Sequence, residues 1–189
     1  KRKVLNIGKP IKEWELNIYF GIKTGLNKAF YINKTIKNNL VNKNNKYKEV
    51  IKETLKGKEI GHYYKEEIKN YLLFVPWHFP NHIENNLDFK KNEKDFKDNY
   101  PEIYNYLSNY KLDLKNRNKK ETDIRYEWYS LQRCAAKYYD QFYKKKIIWS
   151  EIVQSPQFYL DNNNLFIDAS AFMMTGENLE YIIGFLNSK

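Results

Sequence analysis

The apolar residues of this chain come in short runs of irregular order, and that pattern limits the fold more than any other feature. Trp14-Glu-Leu-Asn-Ile-Tyr-Phe20 alternates apolar and polar residues before turning fully apolar, the pattern of a strand. Ala29-Phe-Tyr-Ile32 and Tyr71-Leu-Leu-Phe-Val75 read as further strands, the second short and buried. Lys34 to Leu40 and Tyr47 to Leu55 have helical spacing. Pro101 opens a helix in which Ile103, Tyr106, Leu107, Tyr110 and Leu114 recur at helical intervals. Lys146 to Ile152 and Gln157 to Leu160 read as strands, Asp161 to Asn164 as a hairpin turn, and Glu177 to Asn187 as a last helix. No βαβ unit repeats, so the expected fold is α+β: irregular mixed strands and short helices in a single domain over 1–189. Within it, 78–99 is expected as an exposed, Asn- and Lys-rich excursion, and Lys144, Lys145 and Lys146 as a solvated edge.

No apolar stretch approaches the roughly 18–20 residues that span a bilayer, so no membrane partner is expected. Cys134 is the only cysteine, which excludes a disulfide within the chain and fits a reducing, cytoplasmic setting. The sequence starts at Lys1 and stops inside an apolar, helix-like run from Leu179 to Leu186, which reads as a piece of a longer polypeptide. The formal charge is +10, and its distribution says more than its total: residues 1–60 hold 15 Lys and Arg against 5 Asp and Glu. A cationic field of that kind suits a polyanion, because each neutralised phosphate releases condensed counterions. The bland reading is codon drift, since Lys, Asn, Ile and Tyr are all abundant. Arginine is rare by contrast, with only Arg2, Arg117, Arg125 and Arg133 present. In a background that favours lysine, an arginine points to use of its rigid five-donor fork.

No catalytic constellation is evident. There is no Gly-x-Gly-x-x-Gly, and Gly21-Ile-Lys-Thr-Gly25 has the wrong order for a Walker loop. No two prolines are neighbours, so the Asp/Asn-Pro-Pro-Tyr/Phe motif of amino-methyltransferases is missing. His78 and His82 stand four apart, but Pro80 between them breaks the helix a shared metal would need. Neither catalytic nor metal-binding residues are expected, and the chain reads as a binding module.

Two glycines flank a cationic, hydroxyl-bearing turn at 21–25, and Lys23, Thr24, Asn27 and Lys28 supply donors in a short arc. Such a turn grips phosphate through side chains and free N–H groups, or it is an ordinary hairpin with polar decoration. Arg117 either meets DNA or closes the C-terminal end of the Pro101 helix. Arg125 and Arg133 bracket an aromatic block, Tyr126 to Tyr129, and either fork onto DNA or pair with Glu127 and Asp140; within the block Trp128 and Tyr129 are read as core. Trp77 is read as exposed, and one of Tyr63 and Tyr64, beside Lys58 and Lys65, as core.

The string Gly21-Ile-Lys-Thr-Gly-Leu-Asn-Lys-Ala-Phe30 resembles the opening signature of the TaqI-like C-terminal specificity domain, the target-recognition domain of type IIG restriction-modification enzymes and related adenine-specific DNA methyltransferases of phage defence. Leu55-Lys-Gly-Lys-Glu-Ile60, Tyr71-Leu-Leu-Phe74, Tyr100-Pro-Glu-Ile-Tyr-Asn-Tyr-Leu107 with Leu114-Lys-Asn-Arg117, Trp128-Tyr-Ser-Leu-Gln132, Lys145-Lys-Ile-Ile148 and Leu186-Asn-Ser188 resemble later blocks in the same order. The segment 78–99 matches none of them and is read as an insertion. The resemblance implies sequence-specific binding of double-stranded DNA by a chain that is not itself an enzyme. It implies a methyltransferase domain elsewhere in the parent chain that uses S-adenosylmethionine on adenine N6, and often a nuclease beyond it. No cofactor is expected here. Lys23, Thr24, Asn27, Lys28 and Lys58 are the candidates for positioning on phosphate, and Arg117, Arg125 and Arg133 for reading bases. Two rivals stand beside this: a protein-interaction module built on Trp77 and 78–99, and a small metal-dependent nuclease around His78 and His82.

Overall fold

The computed structural model describes residues 8–10, 13–84, 87–117 and 125–188. In chain order these form β1 (Leu16–Phe20), α1 (Asn27–Phe30), β2 (Tyr31–Ile32), α2 (Lys34–Lys43), β3 (Ile51–Leu55), β4 (Asn70–Leu73), α3 (Phe89–Asn99), α4 (Pro101–Ser108), α5 (Lys111–Asn116), β5 (Lys146–Ser150), β6 (Phe158–Asp161), β7 (Phe166–Ile167), β8 (Ala171–Gly176) and α6 (Leu179–Leu186). The fold is α+β, as the irregular pattern of short runs implies. No helix among the described residues is long and apolar enough to cross a membrane. The chain divides into two compact units that interleave in sequence. One takes Lys1–Gly21, Lys56–Glu66 and Asp140–Lys189, the other Ile22–Leu55 and Glu67–Tyr139.

In the first unit β1, β8, β5 and β6 form an antiparallel sheet in that order. Alternate residues share a face, so Ile147 and Met174, directly opposite each other, meet Leu179, Ile182 and Ile183 of α6. Along the same face Phe20, Phe172, Trp149 and Phe158 make a cross-strand aromatic row, with successive centroids 4.7, 5.6 and 5.6 Å apart. Lys144 and Lys145 are exposed as expected, but Lys146 is not part of a solvated edge. Lys146 is completely buried, its Nζ 2.6 Å from Asp161 Oδ2 and 2.7 Å from the Phe142 carbonyl. Its neighbours in β5 are buried on both faces, so the strand leaves it no wet side. Asp161 is its direct cross-strand partner, which brings the carboxylate within reach. Asp161 also accepts from the backbone N–H of Asn163 and of Leu165, each at 2.9 Å, and so closes the turn that follows β6. Tyr63 and Tyr64 are both exposed, and neither supplies the core role expected of one of them.

In the second unit β4 lies between β2 and β3, antiparallel to both. The expected helix over Tyr47–Leu55 is instead a 3-10 turn, Asn45–Glu49, followed by β3. Tyr47, Val50, Ile51 and Leu55 do have helical spacing. The β-branched Ile51 and Thr54, however, pair across to Leu73 and Asn70, and sheet pairing overrides the local pattern. The expected strand Ala29–Ile32 begins as the single helical turn α1, which buries Ala29 and Phe30.

Among its described residues the stretch 78–99 is only partly an exposed excursion, since Ile83 and Leu87 are exposed but its helix is anchored in the core. Asp88 caps α3 by accepting from the N–H groups of Lys90 and Lys91, and α3 then drives Asn92 and Phe96 to complete burial. Phe96 packs with Phe79 at 5.2 Å and with Tyr129 at 4.7 Å, and Phe79 with Tyr100 at 4.8 Å. These rings, with Trp128 and Tyr129 in the core as expected, are the centre of this unit. The helix expected from Pro101 onward is two helices, because the chain turns at Asn109 and Tyr110 between α4 and α5. The charged stretch Lys115 to Asp123 reads as loose, but Lys115 and Asn116 close α5; Arg2 and 118–123 lie outside the described residues.

Candidate nucleic-acid interface

The turn that follows Gly21 is not a hairpin, because β1 and β2 belong to different sheets. Lys23 instead forms an antiparallel bridge with Arg133: each N–H donates to the other's carbonyl, at 3.1 and 2.9 Å. Directly opposed residues of such a bridge point their side chains to the same side, with Cβ atoms roughly 5 Å apart. Two cations far apart in sequence are thereby set next to each other. The Thr24 hydroxyl donates to Asn27 Oδ1 at 2.6 Å and accepts from the Leu26 N–H at 3.2 Å, which bends the chain into α1. Lys28 pairs with Asp113 of α5 at 2.5 Å, and that carboxylate raises the lysine pKa. Both partners are largely exposed, so salt screens the pair and a phosphate can displace the aspartate.

Arg117, at the C-terminal end of α5, turns inward. It donates to the carbonyls of Thr24 and Trp128, each at 2.9 Å, and to that of Ser130. The rings of Phe30 and Tyr126 lie 5.7 and 5.2 Å from its guanidinium carbon. Burial pushes its pKa down to about 10, which still leaves it protonated at neutral pH. Its two terminal nitrogens are spent inside the protein, so it builds the turn and is not presented to a base edge. Thr24 is corrected in the same way, being 2 % exposed with its hydroxyl engaged by Asn27 and Leu26. Lys23, Asn27, Lys28 and Arg133 are the members of the expected set that this locus brings together at or near the surface.

Gly25 has φ +75°, and a Cβ there would sit 3.0 Å from Arg117 Cδ and from Gln132 Cβ. Gly25→Ala is therefore expected to cost about 1–2 kcal/mol from backbone handedness alone. A urea-unfolding midpoint equal to that of the wild type would refute this.

Arg125 is exposed at a separate place on the same unit, in the lining of a hollow beside α3. Lys58 belongs to the first unit, exposed on the 3-10 turn Gly57–Glu59. The Gly57 N–H donates to Ser170 Oγ at 2.9 Å, and the Lys56 N–H donates to Glu59 Oε2 at 2.7 Å, which hold that turn.

Sequence reasoning missed two carboxylate hubs. Glu127, almost fully buried, accepts from the His78 N–H at 2.8 Å and from Asn92 Nδ2 at 2.9 Å, with His78 Nδ1 at 3.2 Å. Glu93 accepts from Trp128 Nε1, Tyr104 Oη and Lys111 Nζ at 2.8, 2.9 and 3.2 Å. Burial alone raises the Glu93 pKa, but these donors outweigh it and hold the carboxyl below its usual range. In the sequence Glu127 stood only as a candidate partner of Arg125 or Arg133 inside the aromatic block. His78 and His82 do not converge: the His82 ring bonds the Pro80 carbonyl at 3.1 Å, and burial lowers its pKa. Trp77 is half-buried and anchored, its indole N–H donating to the Leu131 carbonyl at 2.9 Å.

No protein-family model matches the sequence, and no curated protein matches it. Solved structures do resemble it in fold. The type IIL restriction-modification enzyme MmeI, solved in complex with DNA, is similar with a TM-score of 0.53 and 12% identity, over 96% of this chain and 22% of that one. The type IIG restriction endonuclease BpuSI is similar with a TM-score of 0.48 and 13% identity, over 98% of this chain and 21% of that one. The chain thus spans about a fifth of the length of the enzymes it resembles.

Proposed function

We propose that this chain is the DNA target-recognition region of a restriction-modification enzyme. The observation that carries the reading is the fold likeness, along 96% of the chain, to part of an enzyme solved with DNA bound. The cationic first third and the ordered blocks that resemble the TaqI-like specificity domain support it. In this reading the chain makes and breaks no bonds. A methyltransferase domain of the same parent chain extrudes an adenine and methylates its exocyclic amine from S-adenosylmethionine, while this region holds the duplex in register.

The roles of the singled-out residues follow their surroundings. Lys23, Asn27, Lys28 and Lys58 lie on phosphate, Arg133 reaches a base edge, where a bidentate fork distinguishes guanine, and Arg125 meets the nucleic acid separately, from the hollow beside α3. Thr24 and Arg117 shape the turn from behind.

Salt titration of duplex binding tests the reading. The logarithm of affinity is expected to fall linearly with the logarithm of salt concentration, and Lys23→Ala is expected to flatten the slope by roughly one unit for all sequences alike. Arg133→Ala is expected to cost about 1–3 kcal/mol on the preferred sequence and less on others. Binding that ignores salt, or no binding at low salt, would overturn the proposal.

A further inference from the structure

Beside α3 the second unit has an open hollow of about 830 Å³ whose lining includes Trp77, His78, Phe89, Lys90 and Arg125. None of the contacts described above fills it, and each lining group is set for a particular kind of ligand. Trp77 offers a large aromatic surface in a fixed pose, because its N–H is held by the Leu131 carbonyl and Tyr126 stacks against it at 6.0 Å and 20°. His78 is 5 % exposed, and Glu127 occupies its Nδ1, so Nε2 is the ring nitrogen left to meet a ligand. The same carboxylate takes the His78 backbone N–H, and the residue sits at φ +62°, in the left-handed region that a non-glycine residue adopts at a cost. Arg125 and Lys90 bring two cations to the hollow, and among the described residues its one lining carboxylate, Asp88, is engaged in capping α3.

A planar face, a hydrogen-bonding nitrogen at its edge and two cations match the three parts of one nucleotide. We infer that the hollow receives a single unpaired nucleotide, its base stacked on Trp77 with an edge on His78 Nε2 and its phosphate on Arg125 and Lys90. The inference rests on the DNA-binding reading and adds to it a preference for a base outside the helical stack. Extruding a base costs least where it is already unpaired, so that preference is measurable.

The test compares two duplexes that differ only by one unpaired adenosine nucleotide, by fluorescence anisotropy at fixed salt. The bulged duplex is expected to bind roughly tenfold more tightly, on the scale that stacking one base on an aromatic side chain supports. His78→Asn, which tolerates the left-handed backbone, and Arg125→Gln, at an exposed position, are each expected to bring the affinity ratio close to one. If His78→Asn does not fold, Arg125→Gln decides alone. Equal, salt-dependent binding of both duplexes overturns the pocket and leaves the DNA-recognition reading standing. A preference that survives in both variants also overturns the pocket. Binding of neither duplex overturns both readings.

Discussion

Asp161→Ala is expected to lower the stability of its unit by about 3–5 kcal/mol, because it strands the Lys146 ammonium in a site with no access to water. The magnitude follows from what remains. Lys146 keeps the Phe142 carbonyl at 2.7 Å but loses the carboxylate that pairs with it, and burial already lowers its pKa. The N–H groups of Asn163 and Leu165 lose their acceptor at the same time. Lys146→Met is expected to cost less, since the carboxylate left behind still accepts from those two N–H groups. The double variant Lys146→Met with Asp161→Asn should recover most of the loss, because no charge is then buried and an oxygen still faces the turn. Urea unfolding followed by tryptophan fluorescence reads all three, with Trp149 lying in the same strand as Lys146. A loss below about 1 kcal/mol for Asp161→Ala would mean that solvent reaches the pair, contrary to its burial.

The strands that were legible in the sequence are those whose local pattern and tertiary partners agree. β1 and β5 fall inside expected strands, and β4 and β6 do so but for one residue each, because alternation or a compact apolar run also suits the sheet they enter. Tyr47–Leu55 failed because its apolar residues satisfy a helical period and a half-buried strand equally well, and only pairing with β4 separates the two. Lys146 failed for a related reason: a run of three lysines looks solvated until the residue opposite the third proves to be Asp161. The segment 78–99 was hidden by composition. Its Asn and Lys content is that of a loop, and the single Phe96 that anchors α3 to the aromatic core carries no periodic signal of its own.

The candidate site divides along the same line. Gly25, Lys23 and Lys28 were visible as a local motif. That Arg133 is set beside Lys23, and that Arg117 supports the turn from within, are long-range facts with no local trace.

Arg117→Ala separates a reader of bases from a builder of the site. If Arg117 met a guanine edge, the variant would fold normally and lose discrimination at one base pair, at a cost of about 1–3 kcal/mol. Its surroundings predict the opposite. Three carbonyls, from Thr24, Trp128 and Ser130, lose a charged donor together, and the rings of Phe30 and Tyr126 lose the group they flank. Hydrogen bonds to charged groups contribute about 1.5–3 kcal/mol each and are not additive, so a loss of roughly 3 kcal/mol or more is expected in urea unfolding. Duplex affinity should fall for every sequence alike, because Lys23 and the entry to α1 lose the support that sets their positions. Arg117→Lys keeps the charge but replaces a planar fork by a tetrahedral head, which does not span three carbonyls spread over two segments. It is expected to recover little of either property. A stable Arg117→Ala protein with altered preference at a single base pair would return Arg117 to the reading surface and leave the turn to stand on Thr24 and Gly25 alone.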